Sequence, residues 1–186
     1  MAEVGEQIVG AYLKAIKDCD LVEYNIALRE KGHKGEIDVI GLNIKGKHVY
    51  ICEVATHVLG FQYARNKRPA NYEVLVKKFE KDITFAKKYF KGYKKTFMFW
   101  TPIVKITGEK AKYQAERDLR HLEKYLERKH KIKIELIYNE KYYNCYKEIK
   151  QYSTKLNEHV DNFPLRFLQI IEKLEKYLNY LNKIGK

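Results

Sequence analysis

Residues 35–57, GEIDVIGLNIKGKHVYICEVATH, constrain the fold more than any other stretch of the chain. Val39, Ile40 and Leu42 before the middle, and Val49, Tyr50, Ile51 and Cys52 after it, are apolar enough to be core. Lys45-Gly46 between them reads as a turn, so the segment predicts two antiparallel strands at about 36–42 and 47–55. One acid interrupts each strand, Asp38 in the first and Glu53 in the second. Residues two apart on a strand share a face. Asp38, Ile40 and Leu42 therefore point one way, and Ile51, Glu53 and Ala55 share a face of the partner strand. A central turn within the 15 positions separating the acids brings them within a few ångströms of each other. A buried carboxylate is costly unless paired or bound to a cation, and two adjacent ones repel. A divalent cation resolves both problems, and oxygen-only ligands with open positions suit Mg2+ or Mn2+. The alternative is that both acids lie at strand edges and face water.

The remaining pattern supplies helices for that sheet. Val4, Ile8, Ala11, Tyr12 and Ala15 recur at helical spacing and predict a first helix over about 2–17. Residues 21–29 form a weak strand, and KGHKG at 31–35 a turn. A basic loop, GFQYARNKRPAN, precedes a helix over about 72–89 with Val76, Phe79, Ile83 and Phe85/Ala86 on one side and lysines on the other. KTFMFWTPIV is a continuous apolar run, as in a strand buried on both faces. Ala111, Ala115, Leu119, Leu122 and Leu126 mark another helix, and KIKIELIYN alternates like a half-buried outer strand. Two helices close the chain. The order predicts a mixed α/β sheet flanked by helices, with a main domain over 1–150 and a helical C-terminal extension over 151–186.

Composition narrows the setting. The net charge of +13 points to a polyanionic partner, although a lysine-rich proteome would also produce it. Three scattered cysteines, Cys19, Cys52 and Cys145, form no CxxC pair, which argues against zinc and disulfides and for a reducing cytoplasm. No apolar run approaches the ~18 residues of a membrane span, so no membrane partner is expected.

At the two acids the chain resembles the PD-(D/E)XK nuclease superfamily, closest to its small branch of Holliday-junction-resolvase-like proteins. The resemblance rests on Gly5-Glu6 and Tyr12-Leu13 in the first helix, Asn25 before a turn, the strand Gly35-Glu36-Ile37-Asp38, and Glu53-Val54-Ala55 ending the next strand. It covers about residues 3–90 and implies a restriction-endonuclease-like αβββαβ core. It further implies that Asp38 and Glu53 hold Mg2+ (or Mn2+) with the carbonyl of Val54, that Glu6 completes the site, and that the substrate is DNA. Glu36 shares the Asp38 face and is a further possible ligand, or belongs to the turn.

The pattern breaks at one place. The third motif should end in a lysine that orients the attacking water and counters phosphate charge, and here Ala55 stands there. Either the lysine has moved to the following helix, making Lys78 or Lys81 the candidate, or the protein only binds nucleic acid. His57, about 7 Å past Ala55 on the same face, could contact phosphate or water, or be structural. Lys77, Lys81 and the stretch Arg65, Lys67 and Arg68 are placed to contact a phosphate backbone, or are simply solvated. Tyr138, Tyr142, Tyr143, Tyr146 and Tyr152 are read as core packing first and as base-stacking groups second. Phe167, Ile171, Leu174, Leu178 and Leu181 form a short heptad seam that docks on the body or pairs two copies into a homodimer. The leading expectation is a Mg2+-dependent DNA endonuclease. A silent nucleic-acid-binding protein and an RNA-directed nuclease are the alternatives.

Overall fold

The computed structural model describes residues 2–30, 33–108, 110–156 and 160–184. The chain runs α1 (Val4–Ala15), β1 (Leu21–Glu30), β2 (His33–Asn43), β3 (His48–Val54), β4 (Ala64–Arg65), β5 (Arg68–Pro69) and α2 (Asn71–Tyr89). It continues with β6 (Lys94–Trp100), α3 (Ala115–His130), β7 (Glu135–Ile137), α4 (Glu140–Lys155) and α5 (Phe163–Lys183). Five strands form one mixed sheet in the order β1-β2-β3-β6-β7, antiparallel from β1 to β3 and parallel from β3 to β7. The predicted mixed α/β sheet flanked by helices is therefore present.

Each face of the sheet has its own core. On one face Ile40, Val49, Ile51, Phe97 and Phe99 pack under Leu75, Phe79 and Ile83 of α2 and Leu119, Leu122 and Leu126 of α3. On the other, Val39, Cys52, Met98 and Trp100 pack under Val9 and Leu13 of α1, Cys145 and Ile149 of α4 and Leu165 of α5. The alternation Val39/Ile40 and Ile51/Cys52 sends successive side chains to opposite cores, as a sheet covered on both faces requires. Glu80 ties α2 to α3 by accepting hydrogen bonds from Tyr125 Oη (2.7 Å) and Lys129 Nζ (3.0 Å), with His130 Nε2 at 2.8 Å.

Several expected boundaries move. Residues 33–35 of the expected turn belong to β2, and Lys31 and Gly32 lie outside the described residues. The alternating stretch 131–139 yields only three strand residues, at the sheet edge, because Lys131 adopts a positive φ and caps α3 there. The α3 stripe begins at Ala115, not at Ala111. The expected domain boundary at 150 falls inside α4, and Leu165 of α5 is buried against the body, so the last helix joins the second core. Among the described residues, no helix is long and apolar enough to cross a membrane.

Phe79 is fully buried where α2 meets the sheet. Phe79→Ala should lower stability by about 3–5 kcal/mol. Urea denaturation checks this as a lower midpoint at unchanged slope.

Candidate active site at the carboxyl end of β3

The β2–β3 register pairs Val39 with Cys52, so the next step along both strands brings Asp38 opposite Glu53. Asp38 is 5 % exposed and Glu53 is fully buried, which removes the alternative of two solvent-facing acids. Asp38 Oδ2 accepts a 2.7 Å hydrogen bond from the Val54 amide, which fixes its carboxylate against the end of β3.

The charge is balanced from α2. Lys78 Nζ lies 3.2 Å from Asp38 Oδ2 and 3.5 Å from Oδ1, and it donates a short hydrogen bond to Glu53 Oε2. Burial alone would depress the Lys78 ammonium, but the Glu53 and Asp38 carboxylates more than offset it, and its pKa is raised. Its side chain as a whole stays 30 % exposed. The helix register explains the placement. Leu75, Phe79, Ile83 and Ala86 form the inward face of α2, and positions 78 and 82 lie within that same stripe.

Position 82 holds the residue that the sequence reading missed. Asp82 is fully buried and contacts Glu53, yet neither of its oxygens, nor Glu53 Oε1, has a hydrogen-bond partner. Two facing carboxyls without a donor between them are relieved by a proton held on one of them. Burial first, then the neighbouring Asp38 charge, raises the Asp82 carboxyl to about 7, against its close contact with Glu53 and the field of Lys78. Burial, with Asp82 and Asp38 next, raises Glu53 as well. The sequence signal was available, since residue 82 is three after Phe79 and one before Ile83.

The other candidate residues divide. Ala55 is 3 % exposed inside the α2-side core, so the position where the resembling motif carries lysine is taken up by apolar packing. Glu6 is buried but turned to other partners, accepting from the Glu3 amide (2.8 Å) and from Asn25 Nδ2 (3.2 Å). It acts there as part of the α1 capping box. Asn25 holds it from a left-handed backbone (φ 52°) at the level of Asp38, where the β1–β2 pairing is interrupted. Glu36 is exposed. His57 sits edge-on to Tyr63 at 5.6 Å, and the Tyr63 phenol lies in the field of Lys78, Asp38 and Glu53. Lys77 is exposed, whereas Lys81 lies over Gly35 of β2. Arg65, Lys67 and Arg68 are exposed on the β4–β5 hairpin, whose two turn residues, Asn66 and Lys67, both have positive φ. Asn71 anchors that hairpin to both helices, accepting from the Tyr63 amide (2.6 Å) and donating to Asp118 of α3 (3.1 Å). Of the tyrosines, Tyr142 packs on Trp100 and Tyr138 against the core, while Tyr143, Tyr146 and Tyr152 are exposed.

Among the described residues, no group of three or more His, Cys, Asp or Glu side chains is arranged to hold a metal ion. The donors that the sequence pattern offers to a cation are Asp38 and Glu53, and the Asp82 carboxyl stands in contact with Glu53. Mg2+ commonly takes one or two carboxylates and fills its remaining positions with water and substrate phosphate, so this oxygen-only pair fits it. No protein-family model matches the chain, and no curated protein matches it.

Asp82 contributes to the pH dependence of folding. Its folded value of about 7 stands above the ordinary carboxyl value of 3.8. Between those values the native state keeps a proton that the unfolded chain has released. Stability attributable to Asp82 therefore falls as pH rises from about 4 to about 7 and is level above that. Asp82→Asn supplies an amide donor and should flatten this slope and raise stability at pH 8. Denaturation of both proteins at pH 5 and pH 8 checks it, and an unchanged slope would contradict the assignment.

Proposed function

We propose that the chain is a Mg2+-dependent DNA endonuclease built on a restriction-endonuclease-like core. The observation that carries this reading is the contact of Lys78 with both Asp38 and Glu53. The resembling motif needs a cation beside those two acids, and α2 supplies one where Ala55 cannot.

Asp38 and Glu53 would hold the divalent ion, with the Val54 carbonyl as a third donor. A bound divalent cation supplies Lewis acidity, polarising the phosphodiester and acidifying water. The protein's own groups do the rest. With its pKa raised, the Lys78 ammonium stays protonated at neutral pH, so it is a hydrogen-bond donor and not a general base. Its role is to face the charge that develops on the phosphate oxygens as the P–O bond breaks. The exposed Arg65, Lys67 and Arg68 would hold the DNA backbone beside the site.

One feature favours a second reading. The Lys78 ammonium by itself compensates both acids, as it would in a structural ion pair of a protein that binds nucleic acid without cutting it. The two readings part on a single set of variants, assayed on plasmid, junction and single-stranded DNA with Mg2+ or EDTA. In the enzyme, Asp38→Ala and Glu53→Ala abolish cleavage, and Lys78→Ala slows it by about 10²–10³. Because ammonium and Mg2+ compete for the same carboxylates, Mg2+ should raise the melting temperature of Lys78→Ala more than that of wild type. Wild-type protein that leaves every substrate intact would establish the silent reading.

A homodimer is the second part of the proposal. The inward residues of α5, Leu165 and Gln169, are buried, but its outward side is a stripe of Phe163, Phe167, Ile170, Leu174 and Tyr177, all about half exposed or more. This stripe shares Phe167 and Leu174 with the expected seam; of the seam's other members Leu178 is 49 % exposed, whereas Ile171 and Leu181 are half-buried. Spacings of 4, 3, 4 and 3 suit a second helix with the same repeat. Sedimentation should give a dimer that Leu174→Lys shifts to monomer.

A further inference from the structure

The loop that leaves β3 just beyond Glu53 carries an unexplained feature. Val58 and Leu59 are 71 % and 81 % exposed, and Ile103 and Ile106 on the loop after β6 are exposed as well. A single exposed leucine is ordinary, but four aliphatic side chains on two joined loops are not. The loops are joined by a 2.9 Å hydrogen bond from the Phe61 amide to the Ile103 carbonyl.

The tip is held firmly. The Gly60 amide donates to the His57 carbonyl at 3.1 Å, closing a four-residue turn with Val58 and Leu59 at its apex. Gly60 has φ 109°, a backbone conformation that favours glycine, and the Lys105 side chain packs close by, 3.2–3.4 Å from where a Cβ would stand. On one side of the turn the Ala55 amide donates to the Trp100 carbonyl at 2.9 Å. On the other, Phe61 is buried against Phe99. Two apolar side chains are thus presented to water on a braced support.

Position and charge indicate what they meet. The turn lies at the carboxyl ends of the parallel strands β3 and β6, where open α/β sheets place their ligands. His57, at its base, touches Tyr63, which borders the Lys78 site. Lys105 flanks the turn, and the basic β4–β5 hairpin follows directly in the chain. An apolar apex with Lys105 against it and a basic hairpin next in the chain matches a nucleobase step, which has apolar faces inside and phosphates outside.

We propose that Val58 and Leu59 form a wedge that inserts at an unstacked base step, so that the substrate class is DNA with a local interruption and not continuous duplex. This rests on the reading of the chain as a DNA-acting protein. Insertion into intact duplex must first break stacking, whereas a bulge, gap or branch point presents an open step.

The test uses the full chain in EDTA, with a paired duplex and the same sequence carrying one unpaired bulge labelled with 2-aminopurine. Wild type should bind the bulged duplex about 10- to 100-fold more tightly and raise its fluorescence. The double variant Val58→Ser/Leu59→Ser should lose that preference and keep its affinity for intact duplex. Leu59→Trp gives an independent check, because the introduced indole should be quenched by bulged and not by intact DNA. Equal wild-type affinity for the two duplexes, or a preference surviving in the double variant, overturns the wedge. So does binding to anionic phospholipid vesicles, without DNA binding, that depends on the same two residues. Cleavage without preference removes the wedge alone, while preference without cleavage removes the nuclease and leaves the wedge.

Discussion

The Lys78 ammonium between Asp38 and Glu53 is the interaction on which the rest of this arrangement depends. The strand register sets two acids side by side in a layer that is otherwise apolar, and the cation must come from the helix that covers them. Losing one partner of such a buried pair commonly costs about 3–5 kcal/mol, because the charge left behind has no water to turn to. The docking of α2 is thereby fixed along its axis as well as in rotation. Leu75, Phe79, Ile83 and Ala86 provide the apolar contact, and the ammonium determines which turn of the helix stands over the hairpin.

Asp82 makes the same site less comfortable than stability alone would favour. Three acids stand around the Lys78 ammonium, with Lys81 adding its field at Asp82, and the third acid is accommodated by keeping a proton. Local strain of this electrostatic kind is expected where a site is arranged for a charge that arrives from outside. Glu6, which the resemblance assigns to the same centre, is instead held by Glu3 and Asn25, and so serves the start of α1.

The edge that carries the candidate site is also where the two loops converge. The segment after β3 is bound to the segment after β6 through Phe61 and Ile103, and Asn71 fastens the basic hairpin to α2 and α3. Cations, acids and exposed aliphatic groups are thus carried on rigid supports rather than on loose loops.

Much of this was legible in the chain itself. Alternation in residues 36–55 dictated the hairpin, its register and the juxtaposition of Asp38 with Glu53, because side chains on a strand repeat every two residues. Alanine at position 55, where the resembling motif carries lysine, pointed to α2, with Lys78 or Lys81 as the candidate. Choosing among them required tertiary structure: lysines at 77, 78 and 81 differ by the angle at which the helix docks, and only the packing of Leu75 and Phe79 sets that angle. Asp82 escaped notice for the same reason, since a charged residue within an apolar helical stripe looks solvated until the helix is laid on the sheet. Periodicity is local and is written in the sequence, whereas burial of a particular charge is decided by which surface folds over it.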